Sequence, residues 1–191
     1  MSESRRSWWA KPLLEMVMIG LGVFLGMAAD QWRTDQQHRE QARQALLRFK
    51  VEIENNRVAV ANVKDYHVAT RAAIIKYLNP DTRAASALDL QGIQPANFER
   101  TAWDLALATQ ALAEIDPAVA FELTRIYGAQ QTYAGLTNGI IQAMYVRPPE
   151  AGWVPFLQSL KVYYDDLIGL EPELLKMYAA VLPLIDRSLR D

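Results

Sequence analysis

The sequence predicts an all-α chain: an N-terminal transmembrane helix running into a long stalk helix, then a helical domain, about five helices in total. Three observations predict it. An uncharged apolar run lies between Met16 and Ala29. A three-and-four spacing of apolar residues follows it, without Pro or Gly, to Asn79-Pro80. Beyond that, further helical patterns are set apart by prolines, and no stretch alternates with the period of a strand. The 191 residues suffice for one domain with a core plus an anchor. A net charge of -2 implies no basic surface for nucleic acid. With no cysteine, disulfides, thiol catalysis and Cys-ligated metals are excluded.

Residues 1–11 read as a short tail and 12–32 as the anchor. From Pro12 to Trp32 a helix rises roughly 30 Å, the thickness of a bilayer core. Trp8 and Trp9 flank one end and Trp32 the other, at the depths where aromatic rings favour the membrane interface. Pro12 suits a first helical turn, and Glu15 lies close enough to the helix start for its carboxylate to reach the headgroups. Two other readings stand beside this one. Ser4-Arg5-Arg6-Ser7-Trp8-Trp9, with small residues at Gly26 and Ala28, is similar to a twin-arginine export signal. A buried soluble helix also accommodates such a run. The spanning reading is favoured because the helical pattern continues past Ala29 and the tryptophans are spaced to bilayer width. Arg5, Arg6 and Lys11 before the span oppose Arg33, Arg39, Arg43, Arg48 and Lys50 after it. The cost of moving the charged tail across the membrane favours the domain on the extracytoplasmic side.

Within the span, Glu15, Ile19, Gly22, Gly26 and Ala29 recur at four and three and form one stripe. Gly22 and Gly26 make a G-x-x-x-G pair, which lets two helix backbones approach closely in lipid. The stripe therefore predicts helix packing with a membrane-protein partner or with a second copy.

Residues 33–78 read as one long amphipathic helix. Leu46, Phe49, Ile53, Asn56, Val60, Val63, His67, Thr70, Ile74 and Tyr77 form a heptad seam. It either packs on the chain's own domain or on another copy; the first is favoured. A rod from Pro12 would be roughly 100 Å long, and a bend is expected near Asn55-Asn56. Residues 79–97 read as a loop and 98–191 as a helical bundle packing on the long helix. Helices are expected near Phe98–Glu114, from Asp116-Pro117 to Arg147-Pro148, from Pro155 to about Ile168 with Gly169 as its stop, and from Glu171-Pro172 onward with a kink at Pro183. Gly128, Gly135 and Gly139 either weaken their helix or permit close packing.

Glu15, Ile19-Gly20, Gly26 and Asp30-Gln31-Trp32, then Phe49, Glu52-Ile53 and Asn56, resemble the start of uncharacterised bacterial single-pass membrane proteins, described as domains of unknown function. Thr101-Ala102-Trp103, Ala106, Thr109, Leu112, Leu123 and Tyr127-Gly128-Ala129-Gln130 resemble their later part. The resemblance implies a helical protein of the bacterial inner membrane and brings no catalytic residues with it.

Chemistry is sparse. His38 and His67 have no histidine or acid three or four residues on, the spacing that puts metal ligands on one helix face. His67 reads as a polar seam residue. Glu52/Glu54, Asp165/Asp166 and Glu171/Glu173 are too close in sequence to share a helix face as acid–base pairs, and Glu171 and Glu173 read as first-turn charges. Trp103 and Trp153 read as core. No phosphate-binding or nucleophile motif occurs. The sequence thus predicts a non-enzymatic accessory or scaffold subunit without cofactor or metal, with an extracytoplasmic ligand-sensing bundle as the alternative.

Overall fold

The computed structural model describes residues 10–83, 88–148, 150 and 152–190. Its helices are α1 (Ala10–Leu78), α2 (Pro80–Arg83), α3 (Thr101–Ala108), α4 (Pro117–Tyr145) and α5 (Trp153–Ser188), with a 3-10 turn at Ala111–Glu114. The all-α expectation and the topology hold.

α1 is one uninterrupted helix of 69 residues. The expected break at Asn55-Asn56 is absent. An asparagine disturbs a helix by bonding its own backbone, but Asn56 reaches across to another segment: its Nδ2 donates to the Glu99 carbonyl (2.8 Å) and its Oδ1 accepts from the Glu99 N–H (2.7 Å). Along the seam, Leu46, Phe49, Ile53, Val60 and Ile74 are buried and Val63 is half-buried. The seam packs on the chain's own domain, chiefly on α5, and α4 closes the bundle against α5.

α5 corrects the sequence reading. A stop at Gly169 and a restart at Glu171-Pro172 were expected, yet helix runs through Pro172 and Pro183. Each proline removes one backbone hydrogen bond. The buried stripe Leu160, Tyr164, Leu167, Glu171, Leu174, Tyr178, Val181 and Ile185 keeps its three-and-four spacing across both prolines. Burial on one face along the whole length outweighs two local defects. The second correction is at 98–114. α3 ends at Ala108, and Gln110 is left-handed (φ 57°) before the 3-10 turn. The turn lets Ala111 and Ile115 reach the core that a straight continuation would miss. The start of α4 is as read: the Asp116 carboxylate accepts from the Ala118 and Val119 N–H groups, with Pro117 in the first turn. Its three glycines are exposed, and a Cβ added at any of them meets no atom within 4 Å, so they mark no close packing.

Residues 88–100 form no regular structure. They make a strap across α1, α4 and α5. Ala96 is buried, and Leu88, Leu90, Ile93 and Phe98 pack against the core.

Candidate functional site

Two regions compete for attention: the exposed first third of α1, and the polar interior beneath the strap.

The first is unusual for what it leaves uncovered. Every large apolar side chain from Leu13 to Met27 is between 55% and 70% exposed. An 18-residue window here has mean hydropathy 1.9, and none of it is buried. In water so large an apolar patch would be costly. α1 is the one helix among the described residues that is long and apolar enough to cross a membrane. Its zero burial sets it apart from the core helix of a soluble protein. Glu15, Ile19, Gly22, Gly26 and Ala29 are all exposed, and a Cβ added at Gly22 or Gly26 meets no atom within 4 Å. Trp32 is exposed at the far end of the run. Trp8 and Trp9 lie outside the described residues. The body of the domain begins within two turns of Trp32, where His38 Nδ1 lies 3.3 Å from a Glu114 carboxylate oxygen.

The second region follows from a hydrogen-bond requirement. A strap without regular structure has backbone groups that no helix ladder satisfies, and buried ones need partners. Two polar residues of the apolar seam, Asn56 and His67, and two tyrosines, Tyr66 and Tyr133, supply them. Asn56 holds both backbone groups of Glu99. His67 Nε2 lies 2.9 Å from the Gln94 carbonyl. That carbonyl only accepts, so Nε2 carries a hydrogen. The Tyr66 hydroxyl donates to the Gly92 carbonyl (2.5 Å), and the Tyr133 hydroxyl accepts from the Ala96 N–H (3.0 Å). Four successive tethers thus hold residues 92–99. Gly92, with φ of 87°, takes a backbone conformation that suits glycine, and Gln94 follows at φ 39°.

Behind the strap, His67 Nδ1 meets Glu171 Oε1 at 2.6 Å, and Tyr133 donates to the same oxygen at 3.2 Å. His67 and Glu171 are 0% and 1% exposed. Sequence reasoning missed this pair. It placed Glu171 as a charge in the first turn of a helix, whereas Glu171 sits mid-helix in the core. His67 is indeed a seam residue, and its acidic partner comes from a helix far along the chain. The available signal was a glutamate falling on the apolar stripe of α5.

Glu52 makes a parallel arrangement near the other end of the bundle. It accepts from the Tyr127 hydroxyl (2.5 Å) and from the Ala102 N–H (2.7 Å). The latter is a free donor of the first turn of α3, which has no side-chain cap of its own. Burial, and then the Glu52 carboxylate, push the Tyr127 phenol far above its ordinary range. Burial also raises Tyr133, Tyr163 and Tyr164, and pushes Tyr178 up to about 12. These hydroxyls keep their protons and remain donors. At the surface, Lys161 and then Arg71 hold the Asp165 carboxyl below its usual value.

Two of the three carboxylate pairs are divided: Glu52 and Glu171 are buried, while Glu54 is half-buried and Glu173 exposed; of the third pair, Asp165 is half-buried and Asp166 exposed. Among the described residues no three His, Cys, Asp or Glu side chains converge as a metal site. Trp103 stacks on Tyr127 (4.6 Å between centroids) and serves the core as expected. Trp153 does not: it is exposed, with the Arg147 guanidinium 4.1 Å over its ring.

Replacing Asn56 by Ala is expected to release the strap at Glu99, leaving two backbone groups without partners at a cost of about 1–3 kcal/mol. Hydrogen exchange at the Glu99 amide is the readout, with at least tenfold faster exchange as the expected result. Unchanged exchange would show that Asn56 does not hold the strap. Set against known proteins, the chain matches no family model, no curated protein and no solved structure.

Proposed function

We propose that this protein is a single-pass scaffold or accessory subunit of the bacterial inner membrane. It acts through protein–protein contacts and holds its helical domain on the extracytoplasmic side. One observation carries the reading: α1 joins a fully exposed apolar segment to the buried seam of the domain without a break. A helix that is greasy all round in one third and amphipathic in the rest suits a lipid environment first and a domain core second. The resemblance to uncharacterised single-pass proteins agrees with it, as does the open Gly22/Gly26 stripe. The interior polar groups serve the strap, which is a structural use of the residues an enzyme would need.

The test is purification of the tagged protein from native membranes in mild detergent, with mass spectrometry of what accompanies it. An assembly that survives detergent is expected, with a second copy or with a companion, and Gly22→Leu with Gly26→Leu is expected to cut its recovery at least tenfold. Association untouched by the double variant would overturn the membrane half of the reading.

A ligand-sensing bundle has one observation in its favour. A cavity of about 330 Å³ lies between residues 95–100 and α4, lined by Phe98, Tyr133, Thr137 and Gln130. The buried Gln130 Oε1 has no hydrogen-bond partner. A metabolite screen by thermal shift that raises the melting temperature of the intact protein would favour it.

A further inference from the structure

The side of α1 turned away from its own domain carries a second apolar set, at Leu47, Val51 and Val58. All three are exposed, Val51 at 61%. They are interleaved with the buried Leu46, Phe49, Ile53 and Val60 but stand on the opposite side of the helix. Their relation to the membrane stripe is fixed by helix geometry. Ala29 and Leu47 are about five turns apart; Glu15 and Val51, like Gly22 and Val58, are about ten turns apart. Because α1 is unbroken, these whole-turn separations put both sets on one face. Beside Leu47 and Val51 this face opens into a groove of about 440 Å³, walled on its far side by Ala102 and Leu105 of α3 and bordered by Arg48 and Glu99.

We propose that this face pairs α1 with the same face of a second copy of this chain, as a parallel dimer continuous from lipid into the space above it. The proposal rests on the anchored reading above. Three arguments select a second copy as the occupant. Copies inserted the same way are parallel, so each residue of the face meets its equivalent at the same height. Small residues then face small residues at lipid depth, and Leu47, Val51 and Val58 face aliphatic side chains above it. A partner of other sequence would need small and aliphatic residues at the same two separated heights. The recurrence also matches the turn of a straight helix, so two copies stay in contact without supercoiling. Finally, the flanks are complementary. Arg48 lies on one flank and has no hydrogen bond or ion pair among the described residues; Glu54 lies on the other, where among the described residues Arg57 of its own helix holds it. In a parallel pair the Arg48 flank of one copy faces the Glu54 flank of the other, which is how flanking charges select partner and direction. Lys11 with Glu15, and Arg33 with Glu40, lie on the same face with opposite charges about one and two turns apart, so across the pair each reaches the opposite charge of the other copy rather than its like.

The absence of native cysteine gives a clean test. Single cysteines are placed in the full chain, on the face (Val51→Cys, Val58→Cys) and at exposed positions off it (Val68→Cys, Val162→Cys). Native membranes are washed with alkaline carbonate and then oxidised with copper phenanthroline. The expected result is a disulfide-linked species of twice the monomer mass from the two face positions, with at least tenfold less from the other two. Carbonate-resistant protein that gives no dimer, or gives it equally from all four positions, overturns the pairing and leaves the anchor standing. Protein released by carbonate overturns both. Cysteine-dependent adducts to a different protein overturn the second copy as the occupant.

Discussion

Glu171→Leu is expected to destabilise the domain by about 1–3 kcal/mol for each buried polar group it leaves without its partner. The reason is what remains behind. His67 Nδ1 and the Tyr133 hydroxyl both point at Glu171 Oε1, and neither reaches water. Desolvating them without a partner is the expensive step. The loss should spread to the strap, because His67 and Tyr133 also hold Gln94 and Ala96. The measurement is urea unfolding of the full chain in detergent, followed by circular dichroism. The double variant His67→Leu with Glu171→Leu should be less unstable than the two single losses added together, by at least about 1 kcal/mol. Wild-type stability in Glu171→Leu, or strict additivity, would refute the pairing.

Two arginines placed in the exposed apolar run, Leu21→Arg with Phe24→Arg, are expected to move the protein from the carbonate-resistant membrane fraction to the supernatant. On an insertion scale each arginine near a helix centre costs about 2.5–3.5 kcal/mol. The aliphatic and aromatic residues of the run contribute roughly 2–5 kcal/mol in favour. The sum turns against insertion. Val162→Arg, at an exposed position on α5, carries the same charge and should leave the distribution unchanged. A double variant that still resists carbonate would mean that lipid is not what covers Leu13 to Met27.

The parts of this fold that were legible are those where one periodic signal runs unopposed. The seam of α1 and the Asp116-Pro117 start of α4 are of this kind, and both stand where the pattern put them. α5 was misread because Gly169 and Pro172 speak locally for a break, while the buried stripe that overrides them is a property of the whole helix. α3 was misread in the opposite sense. Its alanine-rich run has no breaker, and the turn at Gln110 comes from the need to bring Ala111 and Ile115 inward. The exposed apolar run of α1 was legible because a segment that packs on nothing in its own chain needs no tertiary partner to define it. The His67–Glu171–Tyr133 cluster was not, since its members come from three helices and no spacing links them. What the sequence did carry was a chemical mismatch, polar residues at Asn56, His67 and Thr70 on an apolar seam. Read as a demand for partners, that mismatch points to an irregular segment crossing α1.

The unbroken course of α1 also makes it a drive shaft. One residue inserted between Trp32 and His38 would lift the domain by only about 1.5 Å but swing it about 100° around the axis. Eighteen residues would restore the original bearing, after about five full turns, with the domain some 27 Å farther out. Length in this short polar segment is therefore an angular setting before it is a distance. Every surface of the domain inherits its compass heading from residues that touch none of it.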